Sequence, residues 1–142
     1  MDLTEKIMEL WQCGYFCSQI LAKLLLETLG EENEGFLKAM GGLDGGIGHS
    51  GGTCGCLTGG ACCIAYLTGK AEDTGMDHPA HKAALAEFVK WFTEEMTMDY
   101  GGIECNEITK GNPANRLSSC PDIIARTYEK CMEILSERGL IE

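Results

Sequence analysis

The fold class expected of this chain of 142 residues is all-α, a helical bundle of about five to seven helices with one glycine-rich loop. Three observations lead there. Apolar residues recur at i, i+3 and i+4 along nearly the whole chain, strand-like alternation is absent, and a single dense glycine run interrupts the pattern. The length suits one cysteine-rich helical domain, residues 1–142, and a hydrophobic content of 44% is enough to build a core.

Leu3, Ile7, Leu10 and Trp11 form a first stripe, with Asp2 or Thr4 placed to cap it. Gly14 breaks that helix, and a second follows with Cys17, Ile20, Leu21, Leu24, Leu25 and Thr28 on one face. Gly30 stands where a helix C-terminal glycine belongs, and a short helix is expected over Glu34 to Met40. The stretch GGLDGGIGHSGGTCG, Gly41 to Gly55, holds eight glycines and is expected to be an irregular loop, because ordering glycine costs the most backbone entropy. Thr53 then reads as the cap of a helix carrying Leu57, Ala61, Ile64 and Ala65 and ending at Gly69. Gly59 and Gly60 inside it imply close approach of a neighbouring element. Asp77 and Pro79 open a helix with Leu85, Phe88, Val89, Phe92 and Met96 on its stripe, closed by Gly101 and Gly102. A short turn over Ile103 to Thr109 and a polar loop around Gly111, Asn112 and Pro113 precede the last helix. That helix is expected to start at Cys120-Pro121, with Ile124, Tyr128, Cys131 and Leu135 inward.

Composition narrows the function. Eleven basic residues against 22 acidic ones, a net charge of −11, argue against nucleic-acid binding, which depends on Lys and Arg at phosphates. No run of 18 apolar residues exists, so no membrane insertion is expected. Residues Met1 to Lys6 lack the features of a signal peptide, and the cytoplasm is the expected compartment. Nine cysteines, an odd number, in a chain of this size read as reduced thiols that pack, bind metal or do redox chemistry.

Other motifs carry less. Gly46 to Gly51 matches G-x-G-x-x-G, but it follows helical sequence rather than a strand, so it reads as composition. Lys70 lacks the glycine and hydroxyl residues of a phosphate loop, and no C-x-x-C-H exists for covalent haem. His78 and His81 read as solvated. His49, five residues before Cys54, is a candidate acid, base or ligand beside that thiol, although a solvated role is the simpler one.

Four cysteines stand at expected helix starts: Cys17 after the Gly14 break, Cys54 after the Thr53 cap, Cys105 after Gly101-Gly102, and Cys120 before Pro121. Free N–H groups and the positive end of the helix dipole stabilise a thiolate there, which makes a nucleophile or a metal ligand. Cys56, Cys62, Cys63, Cys131 and Cys13 read as packing residues. Cys54-x-Cys56 and Cys13-x3-Cys17 leave Cys56 and Cys13 within reach of a resolving or ligating role.

At these residues the chain resembles the redox-active proteins named for the pattern C_GCAxxG_C_C. Gly14-Tyr15-Phe16-Cys17-Ser18-Gln19 resembles the family's first motif. Gly51 to Gly59 resembles its glycine-rich stretch and CGAxxG motif, with Cys56 in place of alanine, and Cys105 and Cys120 fall on its third and fourth cysteines. The resemblance implies a redox or metal role for Cys17, Cys54, Cys105 and Cys120. A related domain occurs in split-Soret cytochromes, beside haem sites that this chain lacks.

The leading expectation is therefore a four-cysteine site of Cys17, Cys54, Cys105 and Cys120, at once the candidate catalytic, cofactor-binding and metal-ligating residues. It would hold an iron–sulfur cluster or a single metal for electron transfer; zinc, which four cysteines also suit, carries no electrons. The alternatives are metal-free thiol–disulfide exchange with Cys54 as attacking thiol and one of the other three as resolver, and a non-enzymatic acidic helical partner protein with structural cysteines. The partner expected is a redox protein or a small thiol, and a homodimer is compatible with the sequence.

Overall fold

In the computed structural model, which describes residues 2–142 and leaves Met1 outside, the chain is all-α. Its helices among the described residues are α1 (Leu3–Gln12), α2 (Cys17–Leu29), α3 (Glu34–Met40), α4 (Gly55–Thr68), α5 (His81–Tyr100), α6 (Cys105–Thr109) and α7 (Arg116–Glu137). Short 3-10 turns at Gly41–Leu43 and Pro113–Asn115 precede the glycine loop and α7.

Local chemistry accounts for most boundaries. Asp2 caps α1, its carboxylate accepting from the Glu5 N–H at 2.8 Å, and Gly30 and Gly101 end α2 and α5 in the left-handed region. Asn33 caps α3 through the Phe36 N–H at 3.0 Å. Glu104 and Glu107 form a reciprocal capping box that lets α6 persist over so few residues.

Three expected starts shift. The cap of α4 is Cys54, not Thr53. The stripe residues of α5 are Ala84, Phe88, Phe92 and Met96, while Val89 is 42% exposed; the helix starts at His81 rather than Asp77. α7 begins at Arg116, so Cys120 and Pro121 lie inside it rather than at its start. The effective start signal is Asn112-Pro113, whose Asn side chain accepts from the Ala114 N–H at 3.1 Å.

One hydrophobic cluster runs through all these helices. α4 sits in the middle, packed on α2, α5 and α7. Gly60 explains how: the Phe88 ring of α5 stands closer than 3.0 Å to where a Cβ at position 60 would be. Cys63 of the same helix and Cys131 of α7 are buried in this core. Cys131 donates to the Gly60 carbonyl at 3.7 Å.

Between the Gly41–Leu43 turn and α4 the glycine segment winds on itself, as expected of an irregular loop. Gly48, Gly51 and Gly52 donate to the carbonyls of Gly42, Gly45 and Gly46 at 2.9–3.0 Å. Gly46 sits at φ +79, with Gly52 backbone closer than 3.0 Å to any Cβ there, so only glycine fits.

Candidate functional site

Cys17 opens α2 with no local side-chain cap, and the cap comes from the loop instead. Buried Asp44 accepts from the Ser18 N–H at 3.2 Å and from the Ser18 hydroxyl, and also from the Gln19 backbone N–H. The Ser18 hydroxyl lies 2.8 Å from the Met40 carbonyl as well. The glycine loop is thereby pinned beside Cys17. Burial raises the Asp44 carboxyl above its ordinary range, although the bonds from Ser18 and Gln19 hold it down.

Cys54 and Cys105 are joined through backbone. The Cys54 N–H donates to Ile103 O at 2.8 Å, the Cys105 N–H donates to Gly52 O at 2.6 Å, and Thr53 and Glu104 form an isolated antiparallel bridge. Cys120, on the second turn of α7, completes the group.

All four cysteines predicted from the sequence line one cavity, together with Trp11, Phe16, Gly45, Gly55, Ile108, Thr109 and Arg116. The space between them admits the centre of a water-sized sphere over about 20 Å³, room for one water. The larger surface groove of about 410 Å³, walled by Glu27, Glu31, Glu32 and Glu34, holds no cysteine.

The thiols around the cavity differ in acidity. A hydrogen bond from the Cys56 thiol holds Cys54 below the ordinary thiol range, and burial opposes it. Hydrogen bonds to Cys17 and then Cys54, together with full burial, push Cys56 well up. Burial is the first cause raising Cys105 and raising Cys120 to about 12, in both cases opposed by the Arg116 guanidinium. Burial likewise raises Cys62, carries Cys63 well up and brings Cys131 to about 12.

Two sequence expectations change here. Cys120 is not at a helix N-terminus, so no cap stabilises its thiolate. Cys56, read as a small packing residue with a resolving role left open, touches both Cys17 and Cys54 from behind the cavity wall. The C-x-C spacing was the available signal for it. Cys13 is exposed at the end of α1 and does not line the cavity.

The histidines stay outside. His49 is exposed at φ +59 and packs edge-on against Phe16 at 5.3 Å between ring centroids. The His78 N–H donates to Thr68 O at 2.8 Å, and the His81 ring meets the Thr68 hydroxyl at 2.7 Å, which ties the start of α5 to the end of α4. Among the described residues no three His, Cys, Asp or Glu side chains are gathered into a cage for one metal ion. No helix among them is long and apolar enough to cross a membrane.

A helical fold that brings dispersed cysteines to one buried cavity defines a cysteine-centred protein class. The chain belongs to the family described as "Putative redox-active protein (C_GCAxxG_C_C)", which matches residues 15–134. Read letter by letter, G-C-A-x-x-G falls on Gly55 to Gly60 with Leu57 in place of alanine, so Cys56 lies inside the motif on either reading. No curated protein and no solved structure matches the chain.

Proposed function

We propose that the chain is an electron-transfer protein whose redox centre is Cys17, Cys54, Cys105 and Cys120. One observation carries this reading: thiols separated by up to 103 positions in sequence line the same small cavity. The wall between them is largely apolar, from Trp11, Phe16 and Ile108, and leaves room for no more than one water.

By donor type alone an iron–sulfur cluster is the group to be held there, and the one-water cavity would have to open to admit it. Four cysteine thiolates are the usual ligands of such clusters, and the Arg116 cation offsets part of their charge. When bound, a cluster supplies one-electron transfer. A single zinc ion is a poorer fit, since its four sulfurs must each stand about 2.3 Å from one point, and the side chains are not gathered so. In this reading the chain's own part is to present the sulfurs, fix Cys17 through Asp44 and Ser18, and keep water out. The partner would be a redox protein rather than nucleic acid, and the compartment the cytoplasm.

A second reading is favoured by the acidic Cys54 thiol, whose buried sulfur must open to the incoming disulfide. The Cys54 thiolate attacks a small disulfide and expels one thiolate. A neighbouring thiol, Cys17 or Cys56, then attacks the Cys54 sulfur of the mixed disulfide and expels the second thiolate, leaving an internal disulfide. Anaerobic purification followed by iron, acid-labile sulfide and free-thiol quantification separates the two. Iron and sulfide with visible absorption support the cluster, whereas colourless protein that loses two thiols to oxidised glutathione supports exchange. Neither result, with all nine thiols inert, overturns both.

A further inference from the structure

The chain holds three arginines in an acidic sequence of net charge −11, and two of them behave as that charge suggests. Arg126 pairs with Glu95, Asp99 and Asp122, and Arg138 pairs with Glu87. Arg116 does neither. Among the described residues no carboxylate pairs with it, and its Nε is buried with no hydrogen-bond partner. It is also the first residue of α7, where the positive end of the helix dipole disfavours a cation. Nothing in the helix explains a guanidinium there.

The cysteine cavity does. Arg116 is the one charged side chain on its wall, and its charge holds the pKa of both Cys105 and Cys120 down against the burial that raises them. Whichever chemistry the centre uses, reduction makes the sulfur side more negative. A disulfide takes up two electrons and becomes two thiolates, which bind protons according to pH, and a cluster takes up one electron. A fixed cation on the wall favours the reduced form in both cases.

We infer that Arg116 is a positioning residue that sets the reduction potential of the cysteine centre, by holding an otherwise uncompensated positive charge against its sulfurs. The inference rests on the redox reading above but does not depend on which of its two chemistries operates.

The test is an equilibrium redox titration of the purified, anaerobic full chain in glutathione buffers, extended with dithionite where the protein is coloured. It is read by thiol alkylation and by visible absorbance. Arg116→Gln is expected to lower the ratio of reduced to oxidised protein about tenfold at a fixed buffer potential. That is about 30 mV for a two-electron couple, or about 59 mV for a one-electron couple. Arg116→Lys keeps the charge and is expected to stay within about threefold of the parent. Arg126→Gln, away from the cavity, is expected to leave the potential unchanged. A parent-like potential in the glutamine variant, or equal shifts in the glutamine and lysine variants, overturns the inference while leaving the redox reading standing. A parent protein with no reversible couple overturns both. Should circular dichroism show that the glutamine variant does not fold, the lysine variant decides alone: a parent-like potential supports the inference and a tenfold shift overturns it.

Discussion

The backbone of Gly55 lies against the sulfur of Cys17: a Cβ at position 55 would stand closer than 3.0 Å to that Sγ and 3.0 Å from the Leu43 carbonyl oxygen. The α2–α4 contact at the site is thus built around a missing side chain, and α2 cannot retreat freely because Asp44 holds its first turn. Gly55→Ala is expected to cost about 1–3 kcal/mol through overpacking. Urea unfolding measures it, and a loss below about 0.5 kcal/mol, the range of a neutral surface change, would show that the sulfur moves aside without consequence.

Cys56 acts on Cys54 through a hydrogen bond, so its removal has a defined sign. In metal-free reduced protein, Cys56→Ala is expected to move the alkylation-versus-pH profile of Cys54 to higher pH, since the bond that stabilises its thiolate is gone and burial remains. Site-resolved mass spectrometry follows it. An unchanged profile, or one moved to lower pH, contradicts the contact.

How much of this was legible beforehand depends on whether the signal is local. Gly30, the Glu34–Met40 helix and the tight approach at Gly59 and Gly60 follow from capping and backbone entropy, and the structure agrees. The start of α7 is harder to place, because Pro121 has the sequence context of a first-turn proline. Pro113 already serves that purpose, and α7 absorbs Pro121 at the cost of one N–H that Leu117 O would otherwise accept. The contact of Cys56 with Cys17 depends on how α2 packs on α4, and no spacing within one helix encodes that.

Asp44 gives a pH signature. Burial raises its native pKa above the ordinary 3.8, so between those values the native state binds the proton more tightly than the unfolded chain. Its contribution is present below pH 3.8 and is lost as the pH rises through the raised native value. Asp44→Asn keeps an oxygen for the Ser18 N–H and carries no charge. Relative to that variant, the parent is expected to lose stability from pH 3.8 toward neutrality, as read by denaturant midpoints. A relative gain over the same interval contradicts the assignment.

The Gly60–Phe88 contact predicts a rescue. Gly60→Ala alone is expected to cost about 1–3 kcal/mol, because the ring fills the place of the new methyl. With Phe88→Leu added, part of that cost should vanish, giving a coupling of about 0.5–3 kcal/mol in a double-mutant cycle. Strict additivity would mean that the two helices adjust independently.

The convergence of Cys17, Cys54, Cys105 and Cys120 on one centre is tested most directly by mapping disulfides in metal-stripped protein after mild oxidation at low protein concentration. The account predicts that the intramolecular bonds formed first join sulfurs drawn from these four and Cys56, since only these share the cavity or touch its thiols. First-formed intramolecular bonds that instead involve Cys62, Cys63 or Cys131, with the cavity thiols left free, would contradict it.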